Sequence, residues 1–329
     1  MVPRVNMHSH LLLAETFGTF PPYGPKVVEE PDGTLGYQVG DYKIVFGDHV
    51  RDPRFTDGNA RLADMDERGT DVMGVTISPM NYLYWAPNDV GDAFSRLQND
   101  GMHRFCSPDP KRLFFFATIP IQDVDAAVKE LDRAVNELGA RGVNIGQTDI
   151  SIGKMADDEY LFPIYEKAQA LDIPLFVHPF PPGMATGQKE NLLDWMAGYV
   201  HQSTVTAASM LMGGVFDIFP NLKVVLPHGG GALPYQFGRF EYAARRMRGV
   251  KAQRNLRDYL GNLYFDCLVH DPKARRFLVD FAGADHVVVG DNYLGWDAMD
   301  GFAMIDELGL PEADRNKIVG ENAVALFKL

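Results

Sequence analysis

Cysteine is scarce in this chain: Cys106 and Cys267 are the only two in 329 residues, and they show no C-x-x-C spacing. That excludes a disulfide-framed fold and a thiolate metal cluster, and it fits a reducing compartment, so a cytoplasmic protein is expected. Long apolar runs are missing as well. No stretch approaches the ~18 apolar residues of a membrane span, and "MVPRVNMHSH" carries histidines where a signal peptide would carry an apolar segment. A basic excess is also absent, with 31 Lys+Arg against 44 Asp+Glu, a formal net charge of −13, and no block of like charge. Neither a nucleic acid nor a membrane is therefore an expected partner, and a small anionic ligand would need a local cationic site.

What is present is a large apolar fraction, 46% of residues, arranged in short runs. Eight runs have strand length: "RVNMH" (4–8), "DVMGVTIS" (71–78), "LFFFATIP" (113–120), "GVNIG" (142–146), "PLFVHP" (174–179), "LKVVLPH" (222–228), "LYFDCL" (263–268) and "HVVVGD" (286–291). Between them lie segments with helical spacing, such as "DVDAAVKELDRAVNELGA" (123–140), "DEYLFPIYEKAQALD" and "DPKARRFLVDFAG". Strand and helix alternating eight times, with strands apolar throughout, predicts a parallel sheet covered by helices. The count favours a (β/α)8 TIM-type barrel, with a doubly wound open sheet as the alternative. Residues 11–58 are rich in Gly, Pro, Asp and Tyr and have no helical period. An insertion of that length after strand 1 is expected to cover the substrate, and residues 1–329 read as one domain without internal repeats.

Four of nine histidines fall at or just beyond strand ends: His8 and His10 after strand 1, His178 at strand 5 and His228 at strand 6. Barrel active sites are built at that end. His8 and His10 are two apart, so on an extended strand both point to one face, and two such imidazoles can bind one divalent metal. His178 and a carboxylate from strand 8, where Asp291 stands, would complete the set. His228 opens "HGGGALP", where glycines let the backbone turn tightly, and an imidazole there has the chemistry of a general acid or base. His49, His201 and His270 lie in loops at the same end, while His103 and His286 read as structural.

"NMHSH", "VHPF", "MGGVFDIFPNLKVVLPHGGGALPYQFGR" and "DCLVHDP", in that order, resemble the amidohydrolase superfamily, as do "ARLADMDERGTDV" and "YWAP". The likeness is to the branch of α-amino-β-carboxymuconate-ε-semialdehyde decarboxylase and related non-oxidative aromatic-acid decarboxylases, and it runs over nearly the whole chain. The resemblance implies one zinc held by His8, His10, His178 and the strand-8 aspartate, with His228 as a catalytic proton carrier beside Asp291. It also implies that Trp195 lies near the pocket and that Arg239 meets a substrate carboxylate, in the neighbouring subunit's site of a homodimer or higher oligomer. The expected activity is metal-dependent removal of CO2 from a small unsaturated or aromatic acid. Hydrolysis or hydration of a ring-cleavage product at the same metal is the alternative.

Two departures from the family pattern stand out. Strand 8 of the family ends G-[ST]-D-[YFW]-P, whereas this chain has Gly290, Asp291, Asn292, Tyr293 and Leu294. Read without a gap, Asn292 takes the ligand position, and Asp291 takes it only if a bulge or turn shifts the strand end by one residue. Asp291 is the expected ligand, because a carboxylate binds metal and relays protons; a metal-free descendant that binds a carboxylate or acts structurally is a third reading if Asn292 truly replaces it, although three histidines and an adjacent carboxylate remain available for zinc. In the insertion, "FGDHVRDPRF" offers His49, Arg51 and Arg54 for a basic substrate-binding position, and Arg51 is the expected one.

Overall fold

The computed structural model describes residues 2–45, 47–146, 152–180 and 192–329. All eight runs form strands of one parallel sheet. The first strand is broken into β1 (Val5–Asn6) and β2 (His10–Leu11), and the insertion holds β3 (Pro25–Glu29), β4 (Leu35–Val39) and β5 (Tyr42–Val45). The remaining barrel strands are β6 (Val72–Ile77), β7 (Leu113–Thr118), β8 (Gly142–Ile145), β9 (Leu175–Val177), β10 (Val224–Leu226), β11 (Leu263–Asp266) and β12 (Val287–Val288). They pair in the order β1-β6-β7-β8-β9-β10-β11-β12, with β2 also on β6. Closure between the last strand and the first comes from Met7 N–H to the Val289 carbonyl, Tyr293 N–H to that of His8, and His10 N–H to that of Tyr293. The barrel, not the open sheet, is what forms.

Alternation along the strands sorts two cores. Phe114, Phe116, Phe176, Val225 and Val288 pack together inside, and Ala323, Leu326 and Phe327 near the C-terminus join them. Their neighbours Leu113, Phe115, Leu175, Val224, Val287 and Val289 face the surrounding helices. Gly74 shows how tightly the interior is filled, since a Cβ there would come within 2.6 Å of the Phe114 ring.

The helices begin where capping side chains meet free backbone amides. Asp123 accepts from Ala126 N–H ahead of the helix Val124–Asn136, and Asp271 accepts from Lys273 and Ala274 ahead of Pro272–Ala282. No helix among the described residues is long and apolar enough to cross a membrane. The insertion contains a three-stranded antiparallel meander, β3-β4-β5. Its turn signals, "PDG" and "VGD", were visible in the sequence but masked by the absence of a helical period. Tyr37 and Val39 of β4 are buried against Leu12, Met80 and Leu83, which fixes the meander over the C-terminal mouth of the barrel.

Candidate active site

The histidine positions converge. Suitable ring nitrogens of His8, His178 and His228 all lie within 4.8 Å of one another, and the His10 ring stands edge-on to His8 and His178 with centroids 5.3 and 5.1 Å away. His8 Nδ1 is 2.7 Å from Asp266 Oδ2, and His178 Nδ1 is 2.6 Å from the Pro179 carbonyl. Each Nδ1 is thereby the protonated nitrogen, which leaves Nε2 with its lone pair. Those two Nε2 atoms face each other at 3.1 Å. Burial, with the neighbouring imidazoles adding to it, holds His10 and His178 well below the ordinary histidine range. Burial also pushes His228 down to about 4, against an opposing pull from the Asp266 carboxylate. Ring nitrogens with lone pairs aimed at one point are the donor set of a divalent metal site, and the unpartnered buried Oδ1 of Asn292 fits the same purpose.

His228 owes its place to its loop. His228, Gly229, Gly230 and Gly231 have φ of 54°, 61°, 74° and 66°, a left-handed path that glycine permits. A Cβ on Gly229 would lie 2.4 Å from Val269. Gly229 N–H donates to Asp266 Oδ1 at 3.0 Å, so one carboxylate anchors both His8 and the His228 loop.

Strand 8 corrects the ligand expectation. Val288, Gly290 and Asn292 share the inward parity: a Cβ on Gly290 would touch those of His8 and Asp266, and Asn292 lines the same cavity as His10, His178 and His228. Asp291 points the other way. Its Oδ1 accepts from Asn6 Nδ2 at 2.6 Å, its Oδ2 lies 3.6 Å from Arg68, and it lines a separate cleft of about 760 Å³ with His49, Arg54 and Arg68. No bulge restores it to the interior, and the left-handed turn falls one residue later, at Asn292 with φ 52°.

The cavity above the histidines is narrow, about 60 Å³, and is walled by Tyr42, Ile44 and Phe55 of the insertion and by Trp195, Tyr199 and Trp296. Trp195 is thus at the pocket, its Nε1 donating to Tyr42 Oη at 3.0 Å. Arg51 is not: it is exposed in a shallow depression with His49, Asp52, Pro53 and Arg54, because the 3-10 turn Gly47–Arg51 turns it outward. Arg239 is exposed on the helix Leu233–Arg246. Four participants were not anticipated: Asp266, Tyr199, Trp296 and Asp297. For Asp266 a signal existed, a lone carboxylate at the C-terminal end of the apolar run "LYFDCL".

The amidohydrolase family pattern matches residues 5–329. The chain belongs to the amidohydrolase family. Among characterised relatives, the 2-amino-3-carboxymuconate-6-semialdehyde decarboxylase of Dictyostelium discoideum is 32% identical over 241 residues, 72% of this chain and 66% of that protein. The gamma-resorcylate decarboxylase of Polaromonas sp. is 28% identical over 82% of this chain and 86% of its own length. A dihydroxybenzoic acid decarboxylase structure from Polaromonas sp., solved with manganese and 2-nitroresorcinol, superposes with a TM-score of 0.79 at 23% identity, covering 100% of this chain and 98% of that one. That last likeness supports the barrel fold. A weaker match, 31% identical over 142 residues, 42% of this chain and 38% of the other, is to the 2-keto-4-carboxy-3-hexenedioate hydratase of Sphingobium sp..

Proposed function

We propose that this chain is a metal-dependent non-oxidative decarboxylase of a small unsaturated or aromatic carboxylic acid. The observation that carries the reading is the convergence of the imidazoles of His8, His178 and His228 at the floor of an aromatic-walled cavity. His8, His10 and His178 would hold one divalent ion, and zinc suits a nitrogen-rich set. The ion supplies a positive charge that attracts and polarises an anionic, oxygen-bearing substrate.

The chain's own groups do the rest. Tyr42, Trp195, Tyr199 and Trp296 present ring faces and edges to a flat acid. Loss of CO2 requires that the carbon bearing the carboxylate gain a proton as the C–C bond breaks. His228 Nδ1 would take a proton from an acidic group of the substrate and return it to that carbon, a role supported by its being buried without a hydrogen-bond partner. Among the described residues no arginine lines this cavity. Arg239 of a second copy would supply the cation in a homodimer, and Tyr235 and Tyr242, 78% and 59% exposed on the same helix, give that face apolar area to bury. The cytoplasm is the proposed location, both cysteines being free and buried.

The test is release of CO2 from a panel of hydroxybenzoates and unsaturated dicarboxylates by the metal-loaded protein in D2O. Decarboxylation leaves deuterium on the carbon that bore the carboxylate. The hydratase reading, favoured only by the shorter Sphingobium match, predicts water added to a product with no CO2 released.

A further inference from the structure

We propose that Asn292 Oδ1 is itself the strand-8 metal ligand of this chain, oriented by Asp297, so that the ion sits in a set of neutral donors with no carboxylate touching it. This rests on the metal-dependent reading above and concerns which atoms hold the ion. Asn292 is 4% exposed and faces the cavity with His10, His178 and His228. Its Nδ2 donates to Asp297 Oδ1 at 2.5 Å. Because one end of the amide is committed to that carboxylate, the other end must be the carbonyl oxygen. That oxygen is buried and has no hydrogen bond of normal geometry; its nearest polar neighbour is the His10 ring, itself one of the expected metal ligands. A desolvated carbonyl with no donor costs free energy unless something positive faces it, and a divalent cation is such a partner.

Negative charge is still present, but displaced outward. Asp266 stands behind His8, and Asp297 stands behind Asn292 while its field also reaches His228. Neutral ligands leave the full charge of the ion available to an anionic substrate, at the cost of weaker retention. Asn292, unlike a carboxylate, cannot carry a proton, which concentrates proton transfer on His228. Asp297 is a positioning residue here: it acts through the amide it orients.

Zn2+ affinity of the full-length protein, measured by competition with a chromogenic chelator, tests this together with the visible absorption of the Co2+-loaded form. Asn292→Ala should weaken Zn2+ by about 10- to 100-fold and alter the Co2+ band, and Asp297→Asn should weaken it by about 10-fold, the range typical of lost metal-supporting contacts. The exchange Asn292→Asp/Asp297→Asn keeps net charge and a donor-acceptor pair but moves the carboxylate into the ligand position, and it should bind Zn2+ at least about 10-fold more tightly than the parent. Unchanged affinity in Asn292→Ala, alongside loss of Zn2+ in His178→Ala, would overturn the Asn292 assignment while leaving the histidine site standing. Failure of the parent protein to bind Zn2+ or Co2+ at all would overturn both. Thermal unfolding of each metal-free variant separates misfolding from ligand loss, and the exchange variant keeps the question decidable if Asn292→Ala does not fold.

Discussion

His8 Nδ1 and Asp266 Oδ2 lie 2.7 Å apart with neither side chain reached by solvent. The contact fixes the ring's orientation and tautomer, and the other oxygen of the same carboxylate accepts from Gly229 and Leu268 N–H. Asp266→Asn keeps the shape but offers only one acceptor atom to these three donors. Metal affinity should fall by about 10- to 100-fold, the usual cost of losing a partner behind a histidine ligand. Equilibrium dialysis against Zn2+ measures this, and unchanged affinity would remove Asp266 from the site.

Asp291 gives the opposite outcome for metal and a distinct one for pH. Facing Asn6 and Arg68, it is dispensable for the ion, so Asp291→Asn should retain full metal content by elemental analysis. Burial raises its carboxyl to about 6, with Asn6 and Arg68 pulling down. A carboxyl that holds its proton more firmly when folded contributes stability that is complete below its unfolded pKa near ~4 and is lost as pH rises through about 6. Urea unfolding of parent and variant at pH 4, 5, 6 and 7 should therefore show the variant gaining on the parent by up to roughly 3 kcal/mol across that window. Parallel pH profiles would contradict it.

Arg61 is fully buried, and its guanidinium binds the insertion to strand 1. It donates to the Arg54 carbonyl, the His10 carbonyl at 2.9 Å and Ser9 Oγ at 3.1 Å, and it lies over the Tyr293 ring. Desolvation pulls it down to about 10, still charged at neutral pH. Arg61→Met leaves buried carbonyls without donors, and a loss of about 3 kcal/mol in urea unfolding is expected. Arg61→Lys should recover little of it, because an ammonium lacks the fork that reaches three acceptors at once.

The barrel was legible because each apolar run has strand length and each ends where a turn must begin; the four strand-end histidines followed from that alone. The sequence points to Asp291 for a chemical reason. A carboxylate is the better ligand, and that preference outweighed the alternation that makes Val288, Gly290 and Asn292 one face and Val289 and Asp291 the other. Arg51 was misplaced because the direction of a side chain on a 3-10 turn is set by tertiary packing that no local pattern encodes. Trp296 and Asp297 sit in an irregular segment after strand 8, where neither period applies, and only the folded chain brings them beside His228.

Trp195 and Trp296 meet with ring centroids 5.7 Å apart, and they separate the narrow cavity over the histidines from a second void of about 310 Å³ lined by His228, His270 and Asp297. Both voids share Trp195, Tyr199, His228 and Trp296 in their walls. A ring-sized acid needs more room than the inner space of about 60 Å³ offers, and a swing of one indole that joins the two voids is the expected route to it. Trp195 is held by Tyr42 Oη, whereas Trp296 is 49% exposed, so Trp296 is the indole expected to move. Trp296→Ala removes both the partition and a stacking face. Aromatic contacts of this kind contribute about 0.5–1.5 kcal/mol, so KM for an aromatic acid should rise about 3- to 10-fold with kcat little changed. For a non-aromatic acid KM should hardly move, and a fall in kcat for both substrates would mean that Trp296 shapes the reacting centre instead of the entrance.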